Sequence, residues 1–522
     1  MVIKNGFVVD GAGNPWIKAD VGILGERITK IGSVPDKAER ILDASGLIVA
    51  PGFIDMHSHS DLAILKRPPP QQKIRQGVTT ELLGQDGLSV APVKGEMKKE
   101  LAKYLAGIAG ELDREWPWST IGEYLDEIAR CRTPVNVATY VGHGTVRMAV
   151  TGFAERPATA QELEAMKDLV AISMREGAFG LSSGLVYTPG SYADTNELVA
   201  LSQVAARHGG IYTSHIRGES GTLEQSLDEA LTIGSRAGLP VHISHHKAAG
   251  RMHWGKVRKT LATIDAVRSR GQDVTCDQYP YTAGSTMLSV VIPPWAHKGG
   301  VEKLLQRLRD PDARERMKRD MEEELPGWTS YYKQSGWDKI QITYCKKNKT
   351  LEGKTLEQIA ELKRTDPFTS TFDLLLEEET AISMVIFYLS EDDVRTVMKH
   401  PATMIGTDGL MVGNPHPRVY GTYPRILGRY VRDEKVLTLE DAIRKMTSLP
   451  AQRLGLQDRG LIRPGFFADI TIFNPKTIID KATYENPHQY PVGIDYVIVN
   501  GRIVLEKGEF KDTLPGKVLR KK

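Results

Sequence analysis

Pro51-Gly52-Phe53-Ile54-Asp55-Met56-His57-Ser58-His59-Ser60-Asp61 follows directly on the apolar run Leu47-Ile48-Val49-Ala50. Side chains on a strand alternate with period two, so His57 and His59 are expected on one face. Two imidazoles converging at a strand end can hold a metal ion, because neutral imidazole is a common zinc ligand. A lone His-x-His pair is as often structural as ligating, and the rest of the chain decides between the two.

Outward from this stretch, strand-like runs alternate with helical ones. The runs are Gly52 to His59, Thr79 to Leu83, Val135 to Val141 and Gly177 to Leu181. They continue with Gly210 to His215, Val241 to His245, Asp273 to Tyr279 and Thr403 to Asp408. Apolar positions at helical spacing mark Thr159 to Arg175, Ser220 to Ala237 and Val257 to Arg270. Eight strands alternating with helices predict an α/β fold, a (β/α)8 TIM barrel over residues 51–459.

The first fifty residues read as short strands split by Asn5-Gly6, Gly11-Ala12-Gly13 and Gly25-Glu26. A matching pattern returns near the C-terminus, with Ala468 to Phe473 as a strand and Tyr496 to Leu505 as a hairpin turning at Asn500-Gly501. Residues 1–50 and 460–522 are therefore expected to build one β-sandwich beside the barrel. Residues 293–347, with a Pro-Pro-Trp, a charged helical stretch and the aromatic patch Trp328 to Trp337, read as an insertion after the seventh strand. The tail Val518-Leu519-Arg520-Lys521-Lys522 is expected to be a disordered basic end.

At 522 residues the chain exceeds one small core. Its 41% hydrophobic and 25% charged residues are ordinary for a globular protein, and a net charge of +3 argues against a dedicated nucleic-acid surface. Cys131, Cys276 and Cys345 are too scattered for a thiolate metal site or a disulfide framework. No signal-peptide pattern or membrane-spanning run is present, so the chain reads as soluble and cytoplasmic, with no membrane partner.

Catalytic groups of a (β/α)8 barrel lie at the C-terminal ends of its strands. Here these ends carry His57 and His59, Asp86, His143, Tyr187, His215 with Arg217, His245 with His246 and Lys247, Tyr279, and Asp408. Seven of the thirteen histidines fall at or beside five of the ends, counting His416, which points to a metal site rather than scattered structural histidines. By period two, His215 and Arg217 share a face, as do His245 and Lys247, leaving His246 as a packed residue. Asp86, flanked by glycines, offers a carboxylate. Asp408 follows Met404-Ile405 and is the candidate for handling protons beside the metal.

These residues resemble the amidohydrolase superfamily and, within it, the D-aminoacylase group of N-acyl-D-amino-acid deacylases. The resemblance spans nearly the whole chain. It rests on the 51–59 stretch, Gly77-Val-Thr-Thr80, Gly142-His-Gly-Thr-Val-Arg147 and Gly180-Leu-Ser-Ser-Gly-Leu-Val-Tyr187. It continues in Ser214-His-Ile-Arg-Gly-Glu219, Ile243-Ser-His-His-Lys247, residues 277–286, Ile405-Gly-Thr-Asp-Gly409 and Pro415-His-Pro-Arg418. The resemblance implies a barrel with an appended sandwich. It implies a tightly held zinc on His215 and His245, and a second, often weaker position at His57 and His59. It implies Asp408 as the catalytic acid and base, and Lys247, Tyr279, Ser285 and Arg418 around the substrate α-carboxylate, with Tyr187 nearby.

One position departs from the pattern. Many members carry a cysteine at the second strand end, where this chain has Gln85-Asp86. A carboxylate can still ligate or bridge, but it is harder than a thiolate and admits manganese, iron or cobalt beside zinc. One or two ions fit this reading. The fourth strand end lacks the lysine of hydantoinase-type relatives. The activity implied is metal-dependent hydrolysis of N-acyl-D-amino acids, small-molecule substrates. The alternatives are an amidohydrolase acting on a dipeptide, lactam or cyclic amide, and a non-catalytic scaffold. Homo-oligomerisation is left open by the sequence.

Overall fold

Ile48–Pro51 and Phe53–Asp55 are consecutive strands that belong to different sheets, and Gly52 is the passage between them. A Cβ on Gly52 would stand 2.2 Å from the Thr79 side chain, so glycine alone fits here. The structure, a computed structural model, describes residues 1–325 and 327–522; Pro326, inside the segment 293–347, lies outside them.

Beyond Gly52, all eight expected runs become strands of one parallel barrel. They are Phe53–Asp55, Val78–Leu83, Asn136–Thr139 continued by Val141–Gly142, Gly180–Gly184, Ile211–His215, Val241–Ile243, Val274–Gln278 and Thr403–Ile405. Each pairs in parallel with the next. The ring closes where Asp408 N donates to His57 O at 2.7 Å and Ser58 bridges Gly409. Strands such as Val78–Leu83 and Ile211–His215 are buried along their whole length, as strands covered by a layer of helices must be. Helix starts and stops are written locally. Thr159 and Glu162 form a capping box for Ala160–Arg175, and Gly238, at φ 72°, ends Leu223–Ala237.

Both chain ends meet in one nine-stranded sheet. Ile48–Pro51 joins them, pairing in parallel with Val2–Val8 and antiparallel with Ile470–Phe473. The hairpin of Ile494–Val499 and Arg502–Glu506 turns at Asn500 and Gly501, both left-handed, as a two-residue primed turn requires. The sheet curls over an apolar core that includes Ile3, Val21, Val49, Ile470 and Ile498, until Ile28 N reaches Phe466 O at 2.9 Å. One continuous sheet thus supplies both layers of the sandwich.

Two expectations need correction. The excursion after the seventh strand is wider than 293–347. It holds its own antiparallel sheet of Ala283–Met287, Ile340–Cys345 and Ile382–Phe387, the last in the middle. The apolar run Ile382–Phe387 is covered by its two neighbours, and that pairing draws residues on both sides of 293–347 into the excursion. The C-terminal tail is also docked rather than disordered. Leu519 N donates to Val137 O at 2.7 Å and Lys521 N to Gly177 O at 3.0 Å, so its backbone finds partners beside the third and fourth barrel strands. Among the described residues no helix is long and apolar enough to cross a membrane.

His297 in the excursion yields a pH prediction. It is buried, its Nε2 lies 3.0 Å from Ser289 O, and burial pushes its pKa down to about 4. The unfolded chain takes up a proton at this residue below its ordinary value of about 6.5, whereas the folded chain does not until about 4. Stability is therefore expected to fall as pH drops through that window, by roughly 3 kcal/mol for this group. His297→Gln should flatten that part of the curve, read as Tm against pH for variant and parent.

Candidate metal centre and active site

Asp86 is the hub. Its Oδ2 lies 3.4 Å from His57 Nε2, 3.6 Å from His59 Nε2, 3.7 Å from His215 Nδ1 and 3.5 Å from His245 Nε2. Two overlapping donor groups result: His57, His59, Asp86 and Asp408, and Asp86, His215 and His245. Asp86 belongs to both. Donor atoms in each group lie within 4.8 Å of one another, a spacing that lets one ion draw them together.

The loop carrying Asp86 is pinned on several sides. Ser182 Oγ donates to Gly84 O at 2.5 Å and accepts from Gly87 N at 3.1 Å. Asp61 Oδ1 accepts from Gly84 N at 3.0 Å, and Gln85 Nε2 donates to Met56 O at 2.8 Å. Asp86, His245 and Asp408 have φ of 54°, 35° and 48°. Non-glycine residues in the left-handed region cost roughly 1–3 kcal/mol each, and such strain gathers at functional sites.

Carboxylates behind the histidines orient the rings. Asp277 Oδ2 lies 3.5 Å from His57 Nδ1 and 2.8 Å from His242 Nε2, while its Oδ1 accepts from His245 N at 2.8 Å. His242 Nδ1 in turn meets Thr275 Oγ1 at 2.8 Å. Glu219 Oε1 lies 3.1 Å from His245 Nδ1 and accepts from Lys247 Nζ at 2.6 Å. At His57 a carboxylate behind Nδ1 keeps the proton on that nitrogen and leaves Nε2 free to ligate. Asp277→Asn would offer His57 an amide donor instead and favour the wrong tautomer. It is expected to weaken metal binding by about 10–100-fold, measured by metal titration of the chelated protein.

The electrostatics call for a cation. Burial disfavours a charged His57, yet Asp86, Asp277 and Asp408 together raise its affinity for positive charge well above the ordinary level. Burial pushes Asp86 up, but His57 and His245 foremost hold its carboxyl well below the usual range. Both ring nitrogens of His57 and of His215, and Asp86 Oδ1, are buried without a hydrogen-bond partner. Buried polar atoms are normally paired, so a ligand is the natural partner for these. A set of imidazole and carboxylate donors fits zinc and admits other divalent ions.

Asp408 is poised beside this cluster. Its Oδ1 lies 3.2 Å from His59 Nε2 and 3.6 Å from His57 Nε2, and its Oδ2 lies 2.8 Å from Arg418 Nη1. Burial raises its pKa, but Arg418 and then His57 outweigh burial and keep it ionised. A cavity opens onto His59, Asp86, His215, His245 and Asp408. Lys247, Tyr187, Tyr279 and Ser285 line it too. Ser285 arrives on the excursion sheet, which thereby forms part of the site. Tyr187 Oη pairs with Thr286 Oγ1 at 2.9 Å. Arg418 is fully buried, its guanidinium 4.4 Å from the Tyr279 ring centre, with Nη2 donating to Ser285 O at 3.1 Å. Its Nε and Nη1 have no partner of hydrogen-bond geometry.

Other strand-end residues lie elsewhere. Arg217 pairs with Glu229 at 2.9 Å and with Ser191 O and Ala193 O, because the strand ends at His215 and period two no longer applies. His143 Nε2 meets Glu197 Oε1 at 2.8 Å, His246 Nε2 meets Thr260 Oγ1 at 2.8 Å, and His416 Nε2 meets Ala283 O at 3.0 Å. Glu219, Asp277 and His242 were not singled out by sequence. Glu219 stands four residues after His215, and Asp277 and His242 alternate with outward residues on their strands; those spacings were the available signal.

Residues 40–505 match the model of the amidohydrolase family. The chain is 36% identical to a D-aminoacylase of Alcaligenes xylosoxydans xylosoxydans, over 99% of this chain and 97% of that protein. It is 36% identical to an N-acyl-D-glutamate deacylase of the same organism, over 100% and 96%. Among solved structures, an N-acyl-D-glutamate deacylase from Bordetella bronchiseptica, complexed with zinc and a phosphonate mimic of the tetrahedral intermediate, aligns with TM-score 0.85 at 35% identity, covering 99% of both chains.

Proposed function

The chain belongs to the amidohydrolase family, and from that premise we propose that it is a zinc-dependent N-acyl-D-amino-acid deacylase, cleaving the amide of a linear N-acyl-D-amino acid to a carboxylate and a free D-amino acid. One observation carries the reading: a carboxylate, Asp86, held among four imidazoles, of which His57 and His215 have both buried ring nitrogens without a hydrogen-bond partner, directly beside the ionised Asp408. His57, His59, Asp86, His215 and His245 would hold one or two ions. Bound zinc supplies Lewis acidity, polarising the acyl carbonyl and lowering the pKa of water to about 7.

The chain's own residues do the rest. Asp408, with Oδ2 fixed by Arg418, accepts the proton of the attacking water on Oδ1 and delivers it to the leaving amine nitrogen, acting as general base and then general acid. Arg418, whose Nη1 faces Asp408 and whose Nε has no hydrogen-bond partner, backs Lys247, Tyr279 and Ser285 in fixing the substrate α-carboxylate. Tyr187 closes the side of the cavity near Thr286. Burial keeps bulk water from competing for these donors. The three free cysteines support a reducing, cytoplasmic setting.

The test pairs chelation with substrate choice. Chelated protein should be inactive, and zinc should restore hydrolysis of N-acetyl-D-amino acids but not of dipeptides, lactams or hydantoins. Restored activity confined to a cyclic amide would replace this reading with the ring-opening one.

A further inference from the structure

We propose that this site selects D-amino acids with apolar side chains and rejects acidic ones; the inference rests on the deacylase reading above. The 36% identities to a D-aminoacylase and to an N-acyl-D-glutamate deacylase do not separate the two substrate classes. The cavity does, through its charges and its wall.

Two cations serve the site, and each already faces a carboxylate. Lys247 Nζ donates to Glu219 Oε1 at 2.6 Å and also lies 2.7 Å from His245 Nδ1. Arg418 Nη1 lies 2.8 Å from Asp408 Oδ2. Their remaining donors suffice for one substrate carboxylate, the α-carboxylate. Lys247 is the one lysine or arginine that lines the cavity among the described residues, and Arg418 lies behind Asp408 and Ser285. Glu219 is the residue that decides this, because it occupies the cation that a side-chain carboxylate would need.

Elsewhere the lining is mainly aliphatic or aromatic, with Gly284, Ser285 and Thr286 of the excursion sheet as its small and polar members. Ile108, Ile386 and Leu410 are each at most 4% exposed, and Tyr331 and Tyr388 at most 9%. They come from separate parts of the chain: the helix Glu96–Ala109, the middle strand of the excursion sheet, the segment after the eighth barrel strand, and the excursion helix Tyr331–Ser335. Tyr388 is held by its backbone, since its O accepts from Gly250 N at 2.9 Å and from Trp254 Nε1 at 3.1 Å. Such a wall favours a leucine-, methionine- or phenylalanine-like side chain. A glutamate or aspartate side chain would bury a charge with no counter-ion, which is strongly unfavourable.

The experiment compares kcat/KM of the zinc-loaded enzyme for N-acetyl-D-leucine, N-acetyl-D-phenylalanine and N-acetyl-D-glutamate. The apolar pair should exceed the acidic substrate by at least ~100-fold. Ile386→Lys and, independently, Leu410→Lys should each narrow that ratio at least ~10-fold by supplying the absent counter-ion, read as a ratio within one preparation. Equal or greater activity on N-acetyl-D-glutamate in the parent enzyme would overturn this inference and leave the deacylase reading intact. Turnover of none of the three would overturn both.

Discussion

Asp408→Asn is expected to lower kcat by about 10³–10⁴-fold while KM and zinc content stay within a few-fold of the parent. The reasoning starts from charge. The parent carboxylate is held by Arg418 through one oxygen, with its other oxygen toward His59, so it presents a positioned acceptor for the proton. An amide of the same shape can rest on the same backbone, where Asp408 N donates to His57 O, but it has no basic oxygen for the proton in transit. Asparagine also tolerates the left-handed backbone at φ 48°. Steady-state kinetics with metal analysis checks the split. Near-parental kcat would remove Asp408 from the chemistry, and loss of all metal would make it chiefly a ligand.

Asp86→Ala is expected to empty both ion positions, leaving less than about a tenth of an ion per chain after desalting and no measurable hydrolysis. The residue contributes to both donor groups, so its loss cannot be confined to one of them. Without it, His57, His59, His215 and His245 surround an apolar methyl, Asp408 is the one carboxylate left in the two donor groups, and the His215–His245 group keeps no negative donor. Asp86→Cys should behave differently. A thiolate keeps one negative donor at the hub, so metal should still bind, with preference moved toward zinc over manganese. Elemental analysis of protein refilled from an equimolar metal mixture reads both variants. A metal-replete Asp86→Ala protein would mean that the histidines suffice alone.

Much of this site was legible because barrel chemistry sits at strand ends. His57, His59, His215, His245 and Asp408 each follow an apolar run, and the closed sheet brings those ends together. Period two was less dependable than the run itself. It grouped Arg217 with His215, but the ladder stops at His215 and the chain turns Arg217 toward Glu229. It grouped Lys247 with His245, and both reach the site although the strand ends earlier, at Ile243, with His245 in a left-handed conformation.

What stayed hidden depends on long-range contact. Glu219 and Asp277 act by standing behind histidines of other strands, so their spacing within their own segments does not say which ring each one meets. The excursion sheet was missed because Ile382–Phe387 pairs with segments about forty and a hundred residues away. The tail has an ordinary basic composition and is ordered by backbone bonds to the barrel, by Arg520 on Glu176 O and Asp126, and by the packing of Leu519. In each case the stabilising partner lies far along the chain.

The measurement that tests the central claim most directly is chiral product analysis. Racemic N-acetyl-leucine would be incubated with zinc-loaded enzyme, and the released leucine resolved by enantiomer. The account predicts D-leucine with at most trace L-leucine, an unreacted N-acetyl-L-leucine pool, and no release by the chelated protein. Release of L-leucine at an equal or greater rate would contradict it.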